Sequence, residues 1–216
     1  KRLVKIFGRS FSGIEFVNRK SSFTFNNESK HILGFSLGQY LRTNVKSFKN
    51  NSKKWLYSNY KRDKEIQNLI PNSNKIKIGI AWKSPNAKRD DKDISLLKMI
   101  SIMPKSLFEL INLQYGDIKN DKDEIWEKSK RHLILFENID YKNDFDSLIS
   151  LIVNCDAVVT SSNVTAHFAG ALGKKTFLLV PVSALWYWRE KKIKSIWYPN
   201  VCIYRQNKFN NWDHPI

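Results

Sequence analysis

The amino-acid sequence predicts an α/β protein built on a doubly wound parallel sheet. From Lys75 onward, short strand-like segments alternate with segments of helical periodicity, which is the order that βαβ units produce. The shortest strand segments, 157–160 and 176–180, are continuous apolar runs, as is typical of strands covered on both faces. Residues that end helices separate the segments, and Pro104 and Gly173 are examples.

The elements of this half follow one another closely. We predict strands at 76–82, 108–114, 133–136, 157–160 and 176–180. We predict helices between them at 94–103, 121–131, 144–154 and 164–172. Ligands of such sheets bind beyond the carboxyl ends of the strands, so the segments that follow these strands are the candidate site.

The first 74 residues have a less regular pattern. Residues 3–7 have helical spacing, 14–17 alternate as a short strand does, and 36–42 predict a second short helix. Residues 44–74 are polar and rich in Lys and Asn, and they predict one helix at about 63–69 that ends before Pro71. This polar stretch is typical of a connector.

The charge of the chain points to an anionic partner without naming it. A total of 37 Lys and Arg residues against 20 Asp and Glu residues gives a formal net charge of +17. The basic residues are spread along the whole chain and form no long block, so we do not expect nucleic acid to be the partner. A non-catalytic basic module that binds nucleic acid or another anionic polymer remains the alternative function.

Several classes of protein are excluded by motif and composition. Two cysteines are too few for a disulfide framework, and the four histidines form no pair at metal-binding spacing, so we expect no metal. Neither glycine-rich phosphate motif occurs, and the chain has no G-x-S-x-G motif of a serine hydrolase. No apolar run approaches the roughly 18 residues that cross a bilayer, and no secretory signal is visible, so we expect a cytoplasmic location.

The most informative segment joins a buried strand to a helix rich in Ala and Gly, at 156–173. The helix begins after a small polar turn, where Ser162 or Asn163 can cap it. Thr165 and His167 lie in its first turns and can add side-chain donors. The free N–H groups at such a helix start bind phosphate. An ordinary capped helix with a core histidine is the alternative.

Two further strand ends carry polar or aromatic candidates. Lys83 leaves the first strand at the same edge of the sheet and can neutralise a diphosphate, although a solvated loop lysine fits equally. Gln114 offers an amide to a base edge and Tyr115 offers a ring face, although both also suit an ordinary turn. The aromatic segment from Trp186 to Arg189 suits stacking on a sugar or nucleotide, or a packed cap over the sheet.

Five motifs, taken in order, resemble one family. They are Ile78-Gly-Ile-Ala-Trp-Lys-Ser84, Leu113-Gln-Tyr-Gly116, Asn163-Val-Thr-Ala-His-Phe-Ala-Gly-Ala-Leu-Gly173, Trp197-Tyr-Pro199 and Tyr204-Arg-Gln206. Together they resemble the bacterial glycosyltransferase-like domain found after tetratricopeptide repeats. That domain is related to glycosyltransferase family 9, the heptosyltransferases, and more distantly to O-GlcNAc transferases.

The resemblance implies a GT-B architecture of two Rossmann-like lobes. Residues 1–45 would be the remnant of the N-terminal, acceptor-binding lobe, 46–74 the connector and 75–216 the C-terminal lobe that binds a nucleotide-diphosphate sugar. The resemblance implies metal-independent transfer with no cofactor beyond that donor. The acceptor, whether protein, lipid or polysaccharide, stays open. A degenerate lobe that serves only as a scaffold is a further alternative.

The resemblance also assigns roles to residues of this sequence. The phosphates would be held by Ser162, Asn163, Thr165 and His167, with help from Lys83 and Ser84. The nucleoside and sugar would be faced by Gln114, Tyr115, Trp186 and Arg189. His31 is the candidate catalytic base, although Leu33 and Phe35 stand where the family has Pro and Gly.

Overall fold

Six strands form one all-parallel sheet in the computed structural model, which describes residues 2–18, 30, 32–48, 54–84, 93–188 and 193–215. Along the sheet the strands lie in the order β3-β2-β1-β4-β5-β6. They are β1 (Ile76–Ala81), β2 (Phe108–Asn112), β3 (Leu133–Ile134), β4 (Ala157–Ser161), β5 (Thr176–Val180) and β6 (Val201–Arg205). This is the strand order of Rossmann-type sheets, and it confirms the predicted fold class.

Helices cover both faces of the sheet. The α-helices of the described residues are α1 (Val4–Ser10), α2 (Leu37–Leu41), α3 (Tyr60–Leu69), α4 (Leu96–Ile100), α5 (Lys119–Ser129), α6 (Phe145–Asn154) and α7 (Val164–Ala171), and all of them except α2 pack in the two apolar layers. The side chains of Ile78 and Ile80 pack with α4 and α5 on one face. Ala81 packs with α1, α3, α6 and α7 on the other face. Strand residues therefore alternate between two apolar layers, which explains the continuous apolar runs in the sequence.

A glycine brings β1 close to the layer of α6. A Cβ atom on Gly79 would lie 2.5 Å from Leu113 Cδ1 and 2.8 Å from Cys155 Sγ. These distances are shorter than van der Waals contact, so no larger residue fits without moving its neighbours. Cys155 is a buried free thiol and Cys202 is a half-buried one.

The predicted strand at 14–17 is wrong. Those residues pair with no strand among the described residues. Phe16 packs instead against Phe7 and Phe11, with ring centroids 5.3 and 5.9 Å away. The alternation of apolar residues in this segment therefore reflects aromatic packing against α1.

The structure also changes the bounds of several elements and adds one. The helix predicted at 94–103 is shorter, as α4, and the strands predicted at 108–114 and 133–136 end earlier, at Asn112 and Ile134. Asn112 ends β2 because its side chain bonds to both the N–H and the carbonyl of Gln114. The sequence analysis missed β6, which pairs in parallel with β5.

Several residues of the segment 54–70 belong to the packed core. Leu56, Ile66 and Ile70 are buried, and α3 packs against α6. The backbone N–H groups of residues 55 and 56 both donate to the carbonyl of Ala171, at 3.0 Å. The stretch predicted as a connector is thus joined to the end of α7. The division of the chain into two lobes stays a prediction.

None of the helices in the described ranges is both long and apolar enough to cross a membrane.

An apolar groove of about 520 Å³ runs along the α4 side of the sheet, over residues such as Ile76, Val159 and Phe177. Along β1 it is lined by Ile76 and Ile78, so its lining does not include Ala81 at the end of that strand.

Candidate functional site

The strand order creates a crevice between β1 and β4. The chain runs outward from β1 through β2 to β3 and then returns to form β4 on the other side of β1. Ala81 pairs with Thr160, so residues 82–84 and 162–163 leave the sheet side by side. Connections diverge at such a switch point, and ligands of open α/β sheets bind there.

The start of α7 faces this edge of the sheet and is fixed by its capping residue. Asn163 adopts an extended conformation, and its Oδ1 accepts the N–H of Thr165 at 2.9 Å. The same oxygen accepts the hydroxyl of Thr160, the residue paired with the end of β1, at 3.1 Å. The cap therefore ties the first turn of α7 to β4. The other N–H groups of that turn have no acceptor within the helix.

Two hydroxyl groups lie beside this helix start. Ser162 is buried, and its Oγ accepts the indole N–H of Trp188 at 2.9 Å, so its own proton remains to be donated. Thr165 is fully buried, and its Oγ1 has no hydrogen-bond partner among the described residues. A buried hydroxyl without a partner is uncommon in proteins. Among the described residues, neither hydroxyl proton has an acceptor.

His167 is held in an aromatic cage one turn into α7. Its Nδ1 lies 3.0 Å from the hydroxyl of Tyr198. Its ring stacks on Trp188, with centroids 5.0 Å apart and planes at 22°, and meets Tyr187 edge-on at 5.2 Å. Burial lowers the pKa of His167, so the imidazole is neutral at neutral pH.

The phenol of Tyr198 is protonated in the same conditions. Burial is the main cause that raises its pKa to about 12. Tyr198 therefore has a proton to donate to Nδ1 of His167. When it does so, the imidazole carries its own proton on Nε2, and that N–H is a donor.

Lys83 lies at the crevice but is already paired. Its Nζ contacts Oδ2 of Asp121 at 2.6 Å, and the indole N–H of Trp82 donates to the other carboxylate oxygen at 3.1 Å. Ser84 is held by its backbone, whose N–H donates to Asp93 at 3.0 Å. An anion in the crevice would compete with Asp121 for the lysine.

Gln114 braces the end of β1. Its Oε1 accepts the N–H groups of Trp82 and Lys83, both at 3.0 Å, and its Nε2 donates to the carbonyl of Tyr115 at 2.9 Å. The side chain is buried, and its amide is engaged on both sides. Its position beside the crevice is structural in this geometry, and contact between Gln114 or Tyr115 and a nucleoside stays a prediction.

The remaining candidates lie around the segment after β5. Trp186 is 70% exposed and meets Trp197 edge-on, with centroids 6.1 Å apart. Arg189 and His31 fall outside the described residues. The structure thus brings together the residues at the ends of β1 and β4, with the aromatic segment beside them.

Sequence reasoning missed two residues that organise the site. Tyr198 was quoted within the Trp197-Tyr198-Pro199 motif but received no role, and Asp121 was interpreted only as a residue of a polar helix. The structure pairs them with His167 and Lys83. Across the described ranges, no group of three or more His, Cys, Asp and Glu side chains is arranged to hold a metal ion.

Comparison with known proteins supports the fold and leaves the function open. No protein-family model matches the chain. Protein FlbA of Caulobacter vibrioides is 30% identical over 142 residues, which are 63% of this chain and 23% of FlbA. The chain therefore spans about a quarter of the length of this curated relative.

Two solved structures share the fold at low sequence identity. The E. coli ADP-heptose lipopolysaccharide heptosyltransferase II superposes with a TM-score of 0.53 at 14% identity, over 72% of this chain and 46% of the enzyme. A glycosyl transferase family 9 protein of Veillonella parvula gives 0.53 at 10% identity, over 73% and 44%. The similarity confirms the GT-B type of α/β fold. The relations to tetratricopeptide proteins and to O-GlcNAc transferases stay predictions.

Proposed function

We propose that this chain is the donor-binding part of a glycosyltransferase and that it binds a nucleotide-diphosphate sugar with the diphosphate at the start of α7. The observation that carries the proposal is a set of donors at the start of α7 that have no acceptor among the described residues. They are the first N–H groups of α7 other than that of Thr165, the hydroxyls of Ser162 and Thr165, and the N–H of the neutral imidazole of His167. Phosphate groups accept such donors, and the helix dipole favours their negative charge.

The chemistry of transfer explains why such a site is useful. An acceptor oxygen forms a bond to the anomeric carbon while the bond from that carbon to the phosphate oxygen breaks. The leaving diphosphate then carries the electron pair as added negative charge. Donors fixed at the helix start stabilise this charge without reorganising, so the proposal needs no metal ion.

Donor binding and turnover are separate parts of the proposal. This chain spans less than half of each structural neighbour, so we assign the donor to the described lobe and the acceptor and catalytic base to an N-terminal lobe. His31 stays the predicted base. The acceptor and the sugar are not assigned.

The proposal is tested by calorimetric titration of UDP, GDP and ADP into the chain at about 0.15 M salt. One nucleotide is expected to bind saturably, and His167→Ala is expected to weaken it about tenfold, which corresponds to about 1.4 kcal/mol. His132→Ala is the matched control, because His132 is exposed and stacks on Trp126 away from the crevice.

The alternative basic module predicts a different result. The net charge of +17 favours it. Binding to single-stranded nucleic acid with an affinity that falls steeply with salt, and no saturable nucleotide binding, would support that module and overturn the donor site. Absence of any ligand would support the scaffold interpretation and would overturn the donor site as well.

A further inference from the structure

An aromatic groove of about 400 Å³ lies beside the candidate site. One wall comes from the segment around α2 and includes Gln39, Arg42 and Phe48. The other wall comes from the segment between β5 and β6 and includes Trp186 and Trp197. The groove therefore joins the amino-terminal residues to the lobe that carries the crevice.

The rings of the groove meet at steep angles. Phe48 and Trp197 are 4.8 Å apart with planes at 84°, and Trp186 and Trp197 are 6.1 Å apart with planes at 78°. Ring walls at right angles suit a thick, puckered ligand better than a flat base, which stacks between parallel faces. Because Trp186 is highly exposed, its apolar face is open to a ligand.

Polar groups accompany the rings. The indole Nε1 of Trp197 is buried and has no hydrogen-bond partner among the described residues, although a buried indole N–H usually has one. The guanidinium of Arg42 lies over the Phe48 ring, with its carbon 5.1 Å from the ring centroid, and donates to the carbonyl of Ser47 at 3.0 Å. The groove thus combines apolar ring faces with hydrogen-bond donors.

The groove is connected to the start of α7 by a single ring. Tyr187 meets His167 edge-on at 5.2 Å and Trp186 edge-on at 5.5 Å. A ligand whose anionic end lies at the start of α7 would therefore have its next ring within reach of Trp186.

We propose that this groove binds a pyranose ring. A pyranose presents C–H groups on its faces and hydroxyls on its edge, which matches indole and phenyl faces beside N–H donors. The inference rests on the proposed function for its biological meaning, because the ring would be the sugar that is transferred or the saccharide that receives it. The two sources share the same chemistry, and the experiment separates them.

Saturation-transfer NMR tests the inference with the methyl pyranosides of glucose, galactose, mannose and N-acetylglucosamine. The same experiment is run with UDP, GDP and ADP and with their glucose or mannose conjugates. We expect transfer to sugar ring protons and an affinity that falls about three- to tenfold in Trp186→Ala. This residue is exposed, so its removal leaves the core intact.

Two further variants sharpen the test. Trp197→Phe keeps a ring and removes the buried indole N–H, so it is expected to weaken sugar binding as well. Trp126→Ala is the matched control, because Trp126 is also an exposed indole, lies on α5 and packs with His132. It is expected to leave sugar binding unchanged.

The outcomes separate the source of the sugar and the two proposals. A nucleotide sugar that binds more tightly than its nucleotide, with the difference lost in Trp186→Ala, indicates the donor sugar. Methyl pyranosides that bind alone indicate the acceptor. Nucleotide binding with no sugar signal that depends on Trp186 overturns the groove and leaves the proposed function standing. Pyranoside binding without nucleotide binding supports the groove and overturns the proposed function.

Discussion

The hydroxyl of Tyr198 lies 3.0 Å from Nδ1 of His167, and the ring of Tyr198 packs directly over Gly170 on the next turn of the same helix. A Cβ atom on Gly170 would lie 2.5 Å from that ring. The orientation of the histidine at the candidate phosphate site therefore depends on a tyrosine that only a glycine admits.

Removing the hydroxyl tests how much the histidine depends on it. Tyr198→Phe keeps the ring, which also stacks near Trp55 at 6.3 Å, but loses the bond to His167. We expect the free energy of unfolding to fall by about 1 kcal/mol. We expect nucleotide affinity to fall about three- to tenfold by calorimetry, since the imidazole is no longer oriented.

Tyr187→Phe is the control for that variant. Tyr187 meets the ring of His167 edge-on, so removing its hydroxyl leaves the hydrogen bond between Tyr198 and His167 in place. Equal losses in the two variants would contradict a specific role for the Tyr198 hydroxyl.

Adding one methyl group to Gly170 tests the packing beneath Tyr198. Gly170→Ala is expected to lower the free energy of unfolding by about 1 to 3 kcal/mol, because the crowding outweighs the better helix propensity of Ala. Urea denaturation measures the change. Gly8→Ala in α1 is the matched control, since no atom of the described residues outside this helix lies within 4 Å of the added Cβ. It is expected to stabilise by up to about 1 kcal/mol. A stabilised Gly170→Ala protein would contradict the packing.

The lowered pKa of His167 makes stability depend on pH. Burial lowers the pKa in the folded state, so the unfolded chain binds the proton more readily. The stabilisation is therefore complete above a pH of about 6.5, the ordinary histidine value, and is lost as the pH falls toward the folded pKa. His167→Gln is expected to reduce the loss of stability between pH 7.5 and 5.5 in urea denaturation. The same reduction in His132→Gln would show that burial of His167 is not the cause.

Breaking the ion pair of Lys83 and Asp121 is expected to raise the affinity for the ligand, whereas Tyr198→Phe is expected to lower it. Asp121→Asn keeps an acceptor for the indole of Trp82 but removes the charge that holds the lysine. We expect diphosphate affinity to rise about two- to fivefold, because the lysine becomes free to contact the anion.

Glu124→Gln is the control for charge alone. Glu124 lies on the same helix and pairs with Lys128 at 2.7 Å. If diphosphate affinity is unchanged in Asp121→Asn, or rises equally in both variants, then Lys83 does not contact the diphosphate.

Periodicity in the sequence was enough to predict the sheet but not its last strand. The apolar runs at 157–160 and 176–180 became β4 and β5, because only strands buried on both faces need such runs. β6 was not predicted, because its last residues, Tyr204 and Arg205, interrupt the apolar run. The structure places Tyr204 at 38% exposure on the outer strand of the sheet, where polar alternation is permitted.

The part of the candidate site that follows directly from the ends of strands could be predicted from the sequence. Lys83 and Ser162 follow strands that turned out to be neighbours, so they reach the same crevice. Their partners were not predictable in this way. Asp121 lies 38 residues from Lys83 and Tyr198 lies 31 residues from His167, and contacts at such separation leave no local pattern in the sequence.

The central claim is that the start of α7 holds the diphosphate, and backbone NMR tests it directly. On titration with the nucleoside diphosphate that binds, the amide signals of Val164, Thr165 and Ala166 are expected to shift most. The amides of Ile76 and Lys175, at the opposite edge of the sheet, are expected to stay unchanged. Large shifts at that opposite edge, with none at the start of α7, would contradict the account.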